Sequence, residues 1–571
     1  MMTLAIDLET YSSADLTKTG VYGYTQAPDF EILLLAYAWD DGPVEVIDLA
    51  QGEAIPAGVL AALTDTAVLK TAWNAQFERT ALARHLGQAM PPEQWRCSMV
   101  HSYTLGLPGS LDLAAKAVGV EVQKDSAGSA LIRFFCRPCK PTKTNGGRTR
   151  NLPQHDPEKW AQFVAYCRQD VEVERAVRTR MQSMPVPEIE QMLWELDQRI
   201  NDFGVRVDQE LVAQAVACDQ VYSQRLVAEA AQVTGLDNPN SVAQLKRWVE
   251  ERAGEELDSL DKEAVKSLLK RTDDDAVRQA LSLRQEMAKA SVAKYQAIQQ
   301  AVCPDGRVRG LLQFYGASRT GRWAGRLVQV QNLPRNSLVD LDVARGLLRD
   351  GFFDALELLY DAVPDVLSQL VRTAFVPSPG HRLIVADFSA IEARVIAWLA
   401  GEQWRLDVFS THGKIYEASA AQMFGVPVES IDKHSPLRQK GKIAELALGY
   451  QGGPGALINM GALEMGLQED ELPDLVQAWR AANPRIVQFW YDVGRAALEA
   501  VQQRTTVRLQ HGLSFIYGSG ILRIQLPSGR HLCYVRPRIE MDPAYGRPGL
   551  TYEGQNQGRW VRERTYGGKL V

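Results

Sequence analysis

The chain has no apolar run near the eighteen or so residues a membrane span needs, so no part of it is expected to sit in a bilayer. It opens directly into Leu4-Ala5-Ile6-Asp7, with no basic flank and no long apolar segment, so no secretory leader is expected. Cysteine is scarce: seven residues, an odd number at irregular spacing, argue against a disulfide framework and for a reducing compartment. Cys136 and Cys139 form a lone C-x-x-C with no second pair and no histidine nearby, and read as free thiols in a loop with no role. Positive charge is also in deficit. With 63 Lys and Arg against 69 Asp and Glu the net charge is −6, so a polyanionic partner has to be met by a local basic segment.

What is present divides the chain. Its 571 residues exceed one ordinary domain, and three or more folded units are expected. Residues 1–185 alternate short apolar strands (3–8 and about Ile32 to Trp39) with helical stretches, an α/β unit interrupted by an exposed basic loop from Lys140 to Gln154. Pro185 and Pro187 mark a boundary. Residues 186–300 form a helical arm with turns near Gly235 to Asn240 and Arg271 to Asp275. Residues 301–410 begin rich in glycine and arginine and lead to a strand at 382–386, 411–505 are helical, and 506–571 contain a hairpin formed by 521–526 and 531–535.

The first chemical signal is Asp7 and Glu9, two apart on a strand and therefore on one face, beside a buried apolar run. Neighbouring buried carboxylates repel, and a divalent cation with a taste for oxygen, Mg²⁺ or alternatively Mn²⁺, relieves that cost. Asn74-Ala-Gln-Phe-Glu78 and Tyr166-Cys-Arg-Gln-Asp170 follow, with Tyr166 and Asp170 on one helix face. In that order the three segments resemble the DEDD superfamily of 3′–5′ exonucleases, the branch with tyrosine in its third motif, on a ribonuclease H-like fold. The resemblance covers about residues 1–183. It implies that Asp7, Glu9, Glu78 and Asp170 hold two metal ions for phosphodiester hydrolysis and that Tyr166 orients the attacking water. Glu78 stands where the family usually has aspartate.

Between Asp305 and Arg335 lie six arginines (307, 309, 319, 322, 326 and 335) against one acid, interleaved with aromatics and glycines. This is the local basic segment, suited to phosphates and to the DNA minor groove. Within it, Thr320-Gly-Arg322 and Gln331-Asn332-Leu-Pro resemble the primer-template contacts of family A DNA polymerases, the bacterial polymerase I type. Leu383-Ile-Val-Ala-Asp387-Phe388-Ser-Ala-Ile-Glu392-Ala-Arg394 reads as a buried strand delivering an acid to a helix start, and looks like motif A of those polymerases in its phage form. The resemblance implies metal ligation by Asp387 with the Phe388 carbonyl, and exclusion of a ribose 2′-hydroxyl by Glu392. Ser389-x-x-Glu392 also reads as a capping box.

Ser435-Pro436 starts a helix on which Arg438, Lys442, Leu446 and Tyr450 recur every four residues, a cationic stripe suited to a triphosphate. It resembles motif B, which implies that Arg438 and Lys442 bind the incoming nucleotide and that Tyr450 lies by the templating base. Leu446 replaces the usual aromatic ring, so altered nucleotide selectivity is expected.

The family's His-Asp-Glu turn is missing from 452–571, where Glu540-Met-Asp542 is the nearest acidic pair. The expectation is therefore a multi-domain α/β protein: a ribonuclease H-like exonuclease domain followed by a right-hand polymerase region (thumb 186–300, palm 301–410 and 506–571, fingers 411–505) with an incomplete palm. As a phage replication polymerase with proofreading it would use Mg²⁺, two ions per site, act on primer-template DNA and dNTPs and work in the host cell cytoplasm; it is either truncated or split between two genes, and in the split case a second polypeptide supplies the remaining palm motif. Two alternatives stay open: an exonuclease with a polymerase-like DNA-binding half, or a primer-template binding subunit of a split polymerase.

Overall fold

The computed structural model describes residues 2–120, 128–287, 291–317, 320–360, 362–543, 546–556 and 559–570. Its first layer is a five-stranded sheet in the order β3-β2-β1-β4-β5, built from β1 (Met2–Tyr11), β2 (Glu31–Trp39), β3 (Glu45–Asp48), β4 (Val68–Ala72) and β5 (Trp95–Cys97). β1 to β3 are antiparallel, whereas β4 runs parallel to β1 and β5 parallel to β4. The apolar run in β2 is buried on both faces because helices cover both sides of the sheet, with Leu4, Ile6 and Leu35 on one side and Ala5, Leu34 and Ala36 on the other. β1 is legible in the sequence. β3 to β5 are too short to show a period, so the expectation of helices alone after residue 39 needs correction.

The sheet's core does not stop at the Pro185–Pro187 turn. Trp194, from the helix Glu188–Phe203, and Phe314 and Tyr315, from β8 (Leu312–Ala317), belong to it as well. Ahead of β8 the chain makes a two-residue ladder between β6 (Val205–Arg206) and β7 (Arg307–Val308), and β8 then pairs with β9 (Arg322–Gly325). Among the described residues six helices lie in 188–301, with breaks at Gly235 and beyond Arg271 as expected.

The C-terminal region is a six-stranded antiparallel meander, β10 (Thr506–Arg508), β11 (Ser514–Gly518), β12 (Ile521–Gln525), β13 (His531–Met541), β14 (Pro548–Asn556) and β15 (Arg559–Thr565). One face packs on the helices of 391–503 in the largest core of the molecule, around Trp479, Trp490 and Phe515. Ile521, Cys533 and Val535 pack instead against Leu105, Ala114 and Val177 of the N-terminal region. The hairpin expected at 521–535 is β12 with β13.

One expected strand is absent. Residues 381–388 carry no regular structure, and Leu383, Ile384 and Val385 are 56%, 82% and 90% exposed. Their composition favours a strand, but a strand forms only against a partner, and among the described residues no strand pairs with this segment. The capping box is absent too: the helix Ile391–Ala400 starts from Ala390 in a left-handed conformation, with no side-chain cap.

Candidate active sites

The N-terminal site is built by β1 and the helix Pro157–Met181. Asp7 and Glu9 project from one face of β1, and the register with β2 shifts directly after Glu9, a bulge of the kind that re-aims side chains. Asp170 meets them from the helix. One carboxylate oxygen from each of the three lies within 4.8 Å of the others. Burial first, and the neighbouring Asp170 next, holds the Asp7 carboxyl well above the usual carboxylate range; for Glu9 the causes are burial and then Asp7. Glu78 stands beside this triad rather than in it. It is buried in the first turn of the helix Ala75–Leu86, raised by burial and by Asp7, and its Oε2 has no hydrogen-bond partner. Of the four expected acids, three thus converge and one lies adjacent. Mutually repelling hard oxygens and an orphaned buried carboxylate oxygen fit a divalent cation.

Tyr166 lies one helical turn before Asp170, is hydrogen-bonded to it and stacks on Phe163 at 6.4 Å. Burial and the Asp170 charge push its phenol upward, so it stays a protonated donor at neutral pH. Its ring packs on Gly128, where an added Cβ would lie 2.4 Å from Cε2.

Three residues of this site escape a reading of the sequence. Glu174, a turn beyond Asp170, is buried, accepts from Ser98 and lies 3.5 Å from Arg178. An acid four residues after Asp170 among Val171, Val173 and Val177 was the available signal. Cys136 is no loop thiol: it is buried just past the helix Gly128–Phe135 with Sγ 3.7 Å from Glu9, and Cys167 lies 3.7 Å from Asp7.

The second site is looser. The helix Pro436–Leu448 starts as expected, with Ser435 capping Leu437 N–H at 3.3 Å and proline in the first turn. Leu446 and Tyr450 line a cleft with Glu392, Tyr416, Arg405 and Glu445. Arg405 and Glu445 form a buried ion pair in its floor, and Glu445 also accepts from Ser419 at 2.8 Å and Trp479 at 2.9 Å. Arg438 is held by Glu417 at 2.7 Å, and Lys442 is half-buried one turn further on. Glu392 joins Arg322 and Tyr450. Burial opposes its ionisation, but the hydrogen bond from Tyr450 and the contact with Arg322 prevail and hold its carboxyl below the usual range. The Tyr450 phenol is pushed up to about 12 by burial and by Glu392. Asp387 and Phe388 are exposed on the unpaired segment, and Asp387 joins no cluster of three metal-ligating side chains among the described residues.

Thr320, just before β9, Arg322, its first residue, and Gln331 and Asn332, in the 3₁₀ turn Val330–Asn332, are all exposed. Arg530, from the β12–β13 turn, braces this loop: it donates to the Thr320 and Gly321 carbonyls at 3.2 and 3.1 Å, pairs with Glu190 at 2.7 Å and covers the Tyr315 ring. Of the six arginines, Arg307 is stacked on Phe203 and Arg309 is paired with Asp305, Arg322, Arg326 and Arg335 remain exposed, and Arg319 lies outside the described residues. Glu540 is the last residue but one of β13, and Asp542 follows directly after the strand, 3.7 Å from Arg564.

The DNA polymerase family A model matches residues 212–513. A DNA polymerase of Bacillus phage SP02 is 65% identical over 572 residues, which span all of this chain and 88% of the phage protein. This chain belongs to DNA polymerase family A. The polymerase also matches DNA polymerase I of Rhizobium leguminosarum, 32% identical over 116 residues (20% of this chain and 11% of that one), and the thermostable DNA polymerase I of Thermus aquaticus, 41% identical over 66 residues (12% and 8%). Its fold is similar to the POL domain of Pol1 from M. smegmatis, solved with DNA primer-template and dNTP: TM-score 0.55, 17% identity, 93% of this chain and 77% of that one. The protein is thus a nucleotidyltransferase of a family that uses divalent metals. Among the described residues no helix is long and apolar enough to cross a membrane.

Proposed function

We propose that this family A polymerase also carries a 3′–5′ proofreading exonuclease and that it serves phage DNA replication in the host cytoplasm. The observation that carries the exonuclease is the convergence of Asp7, Glu9 and Asp170 within 4.8 Å, with Glu78 and Tyr166 beside them. Residues 1–185 are the exonuclease domain, 186–300 the thumb, 301–410 and 506–571 the palm, and 411–505 the fingers. Asp7, Glu9, Asp170 and Glu78 would hold two Mg²⁺ ions, which supply Lewis-acid stabilisation of the attacking and leaving oxygens. Tyr166, fixed by Asp170 and by the ring of Phe163, positions the attacking water. Cys136 and Cys167 steady Glu9 and Asp7 from either side.

In the polymerase site Thr320, Arg322, Gln331 and Asn332 take the primer-template minor groove, Arg438 and Lys442 the triphosphate, and Glu392 stands against a 2′-hydroxyl with Tyr450 as its partner. Arg322 leaves Glu392 when DNA arrives. Asp387 and the Phe388 carbonyl are the metal ligands this chain offers there, and a second carboxylate comes from another polypeptide. The exposure of Leu383 to Val385 supports that reading, because those residues need a pairing strand. Primer extension and 3′ degradation by the purified chain with Mg²⁺ test both halves. Degradation that is lost in Asp7→Ala is expected, with weak extension; absent degradation overturns the exonuclease, and robust extension by the chain alone overturns the need for a second polypeptide.

A further inference from the structure

The C-x-x-C and the basic loop that follows it lie at the rim of the N-terminal cluster. Arg133, Arg137, Lys140, Lys143, Arg148 and Arg150 stand between Asp125 and Asp156 with no acid among them, in a chain whose net charge is −6. Both ends of the loop are fixed beside the converging carboxylates. Cys136 places its Sγ 3.7 Å from Glu9, and Arg150 lies 3.8 Å over the ring of Tyr11, two residues beyond Glu9 on β1, while pairing with Glu31 at 2.5 Å. Between those ends the loop is held by its own bonds. Asn145 accepts from the Thr142 and Gly147 N–H groups at 2.8 and 3.1 Å and donates to the Lys140 carbonyl at 2.9 Å. The Cys139 thiol donates to the Arg148 carbonyl at 3.4 Å, and the Cys139 N–H to the Thr149 carbonyl at 2.8 Å. Gly146 and Gly147, both at positive φ, turn the tip.

The cations of the loop divide into two kinds. Arg148 donates to Asn151 at 2.8 Å, and Arg150 is taken by Glu31 and Tyr11, so these two build the loop. Arg137, Lys140 and Lys143 are exposed and, among the described residues, pair with no acid. Cations that only keep a surface soluble need no fixed backbone, and ordering one costs about 1–2 kcal/mol per residue. Here an ordered frame carries three unneutralised charges to the edge of an acidic cluster that by itself would repel a polyanion. We propose that residues 137–150 bind the phosphate backbone of a single DNA strand whose 3′ end enters the cluster of Asp7, Glu9 and Asp170, with Arg137, Lys140 and Lys143 supplying the charge and Arg148 and Arg150 holding the loop in place. Three cations on a single loop serve one backbone rather than the two of a duplex. Phosphate contacts also position a strand without reading its sequence, as the removal of any mispaired end requires. The inference rests on the exonuclease reading of the cluster.

The test uses the full chain with Mg²⁺ and a 5′-labelled oligothymidylate. In parallel, the same oligonucleotide carrying a photoreactive base near its 3′ end is crosslinked in chelator, so that no cleavage intervenes. Among the described residues the side chains of Arg137, Lys140 and Lys143 make none of the bonds that hold the loop, so Arg137→Ala with Lys140→Ala and Lys143→Ala leaves the frame standing. This triple variant is expected to raise KM roughly 10- to 100-fold with kcat within about twofold, the mark of a lost binding contact. The salt dependence of log kcat/KM should become shallower by about two, three phosphate contacts at ~0.7 each, and a crosslink that the unaltered chain forms within 137–150 should disappear. Asn145→Ala, which loosens the frame and keeps the charges, should raise KM with the salt slope unchanged. Unchanged KM and slope in the triple variant, or crosslinks that fall elsewhere, overturn the loop's role and leave the exonuclease standing. A fall in kcat at constant KM assigns the loop to shaping the cluster and also overturns the inference, and an equal loss of binding to a blunt duplex overturns the single strand as its ligand. Absent degradation by the unaltered chain overturns the exonuclease reading, and the crosslink then decides the loop by itself.

Discussion

The two proposed metal sites of this chain differ in how their carboxylates are held. Around Asp7 three carboxylates from two elements are gathered, Glu9 buried and Asp7 and Asp170 half-buried. Around Asp387 the ligand stands alone on an exposed segment. Sequence motif strength does not explain the contrast, since the motif A stretch is the more specific of the two. The cause is the scaffold. β1 is central in a sheet, with β2 on one side and β4 on the other, and that pairing fixes where Asp7 and Glu9 point. Residues 383–385 have no strand beside them among the described residues. A site is preformed when the element beneath its ligands has all its neighbours.

The sharpest way to break the comparison is to remove one ligand from each site. Asp7→Ala should lower degradation of a labelled 3′ end by about 10³-fold or more, several kcal/mol of charge stabilisation at the reacting phosphate being lost, whereas Asp387→Ala should leave degradation unchanged. Equal losses from both would mean that the sites are not independent.

A second, smaller effect tests the crowding itself. Because the folded values of Asp7, Glu9 and Glu78 are raised, the stability they contribute is full below the ordinary carboxylate range and is lost as pH rises through the raised values. Asp197, pushed up to about 7 by burial against the opposing hydrogen bonds of Trp323, Gln198 and Asn201, acts in the same sense between about pH 4 and 7. Chelator-treated protein should therefore melt at lower temperature as pH is raised from 5 to 8. Saturating Mn²⁺ should restore about 2–3 kcal/mol at a hundredfold excess over its dissociation constant. Asp7→Asn should abolish the metal response but keep the share due to Asp197, and calorimetry at both pH values separates the two.

Arg322→Ala probes the looser site. One phosphate or groove contact fewer should weaken primer-template binding about tenfold and reduce the salt slope by about one. An unchanged slope in a filter-binding titration would assign Arg322 to the Glu392 contact alone. The smallest effect belongs to Leu446→Tyr. An added ring in the cleft should change the preference between deoxy- and dideoxynucleotide by roughly 2- to 10-fold, the worth of one aromatic contact, as read by nucleotide binding to the DNA-loaded chain. No change would remove Leu446 from the sugar's surroundings.

The sequence made the ligands legible more readily than their geometry. Strand and helix periods put Asp7 with Glu9, and Tyr166 with Asp170, on one face each, and the resemblance alone implied that the two pairs belong to one site. Glu78 arrives on a third element, and no spacing could show that it would stop beside the triad. Glu174 and the two thiols were hidden because a buried acid in a helix, or a cysteine among apolar residues, resembles ordinary core until its neighbour across the sheet is known. Residues 382–386 mislead in the opposite direction: valine and isoleucine report a preference for a sheet, yet among the described residues no strand pairs with them. The helix 188–203, which buries Glu190, Asp197, Gln198 and Asn201 around Trp194 and exposes Ile189, Met192 and Leu196, reads from sequence only as amphipathic, since period alone does not say which face turns inward.

The core that Trp194, Phe314 and Tyr315 share with the N-terminal sheet limits how the molecule can be taken apart. A gene fragment ending at the Pro185–Pro187 turn, where the sequence invites a cut, would release the N-terminal sheet with part of one face stripped of its cover and prone to aggregate. Recombination between relatives would meet the same obstacle. Exchangeable segments in this polymerase are bounded by shared side chains, and a junction placed after β9 keeps the N-terminal sheet with the wall it leans on.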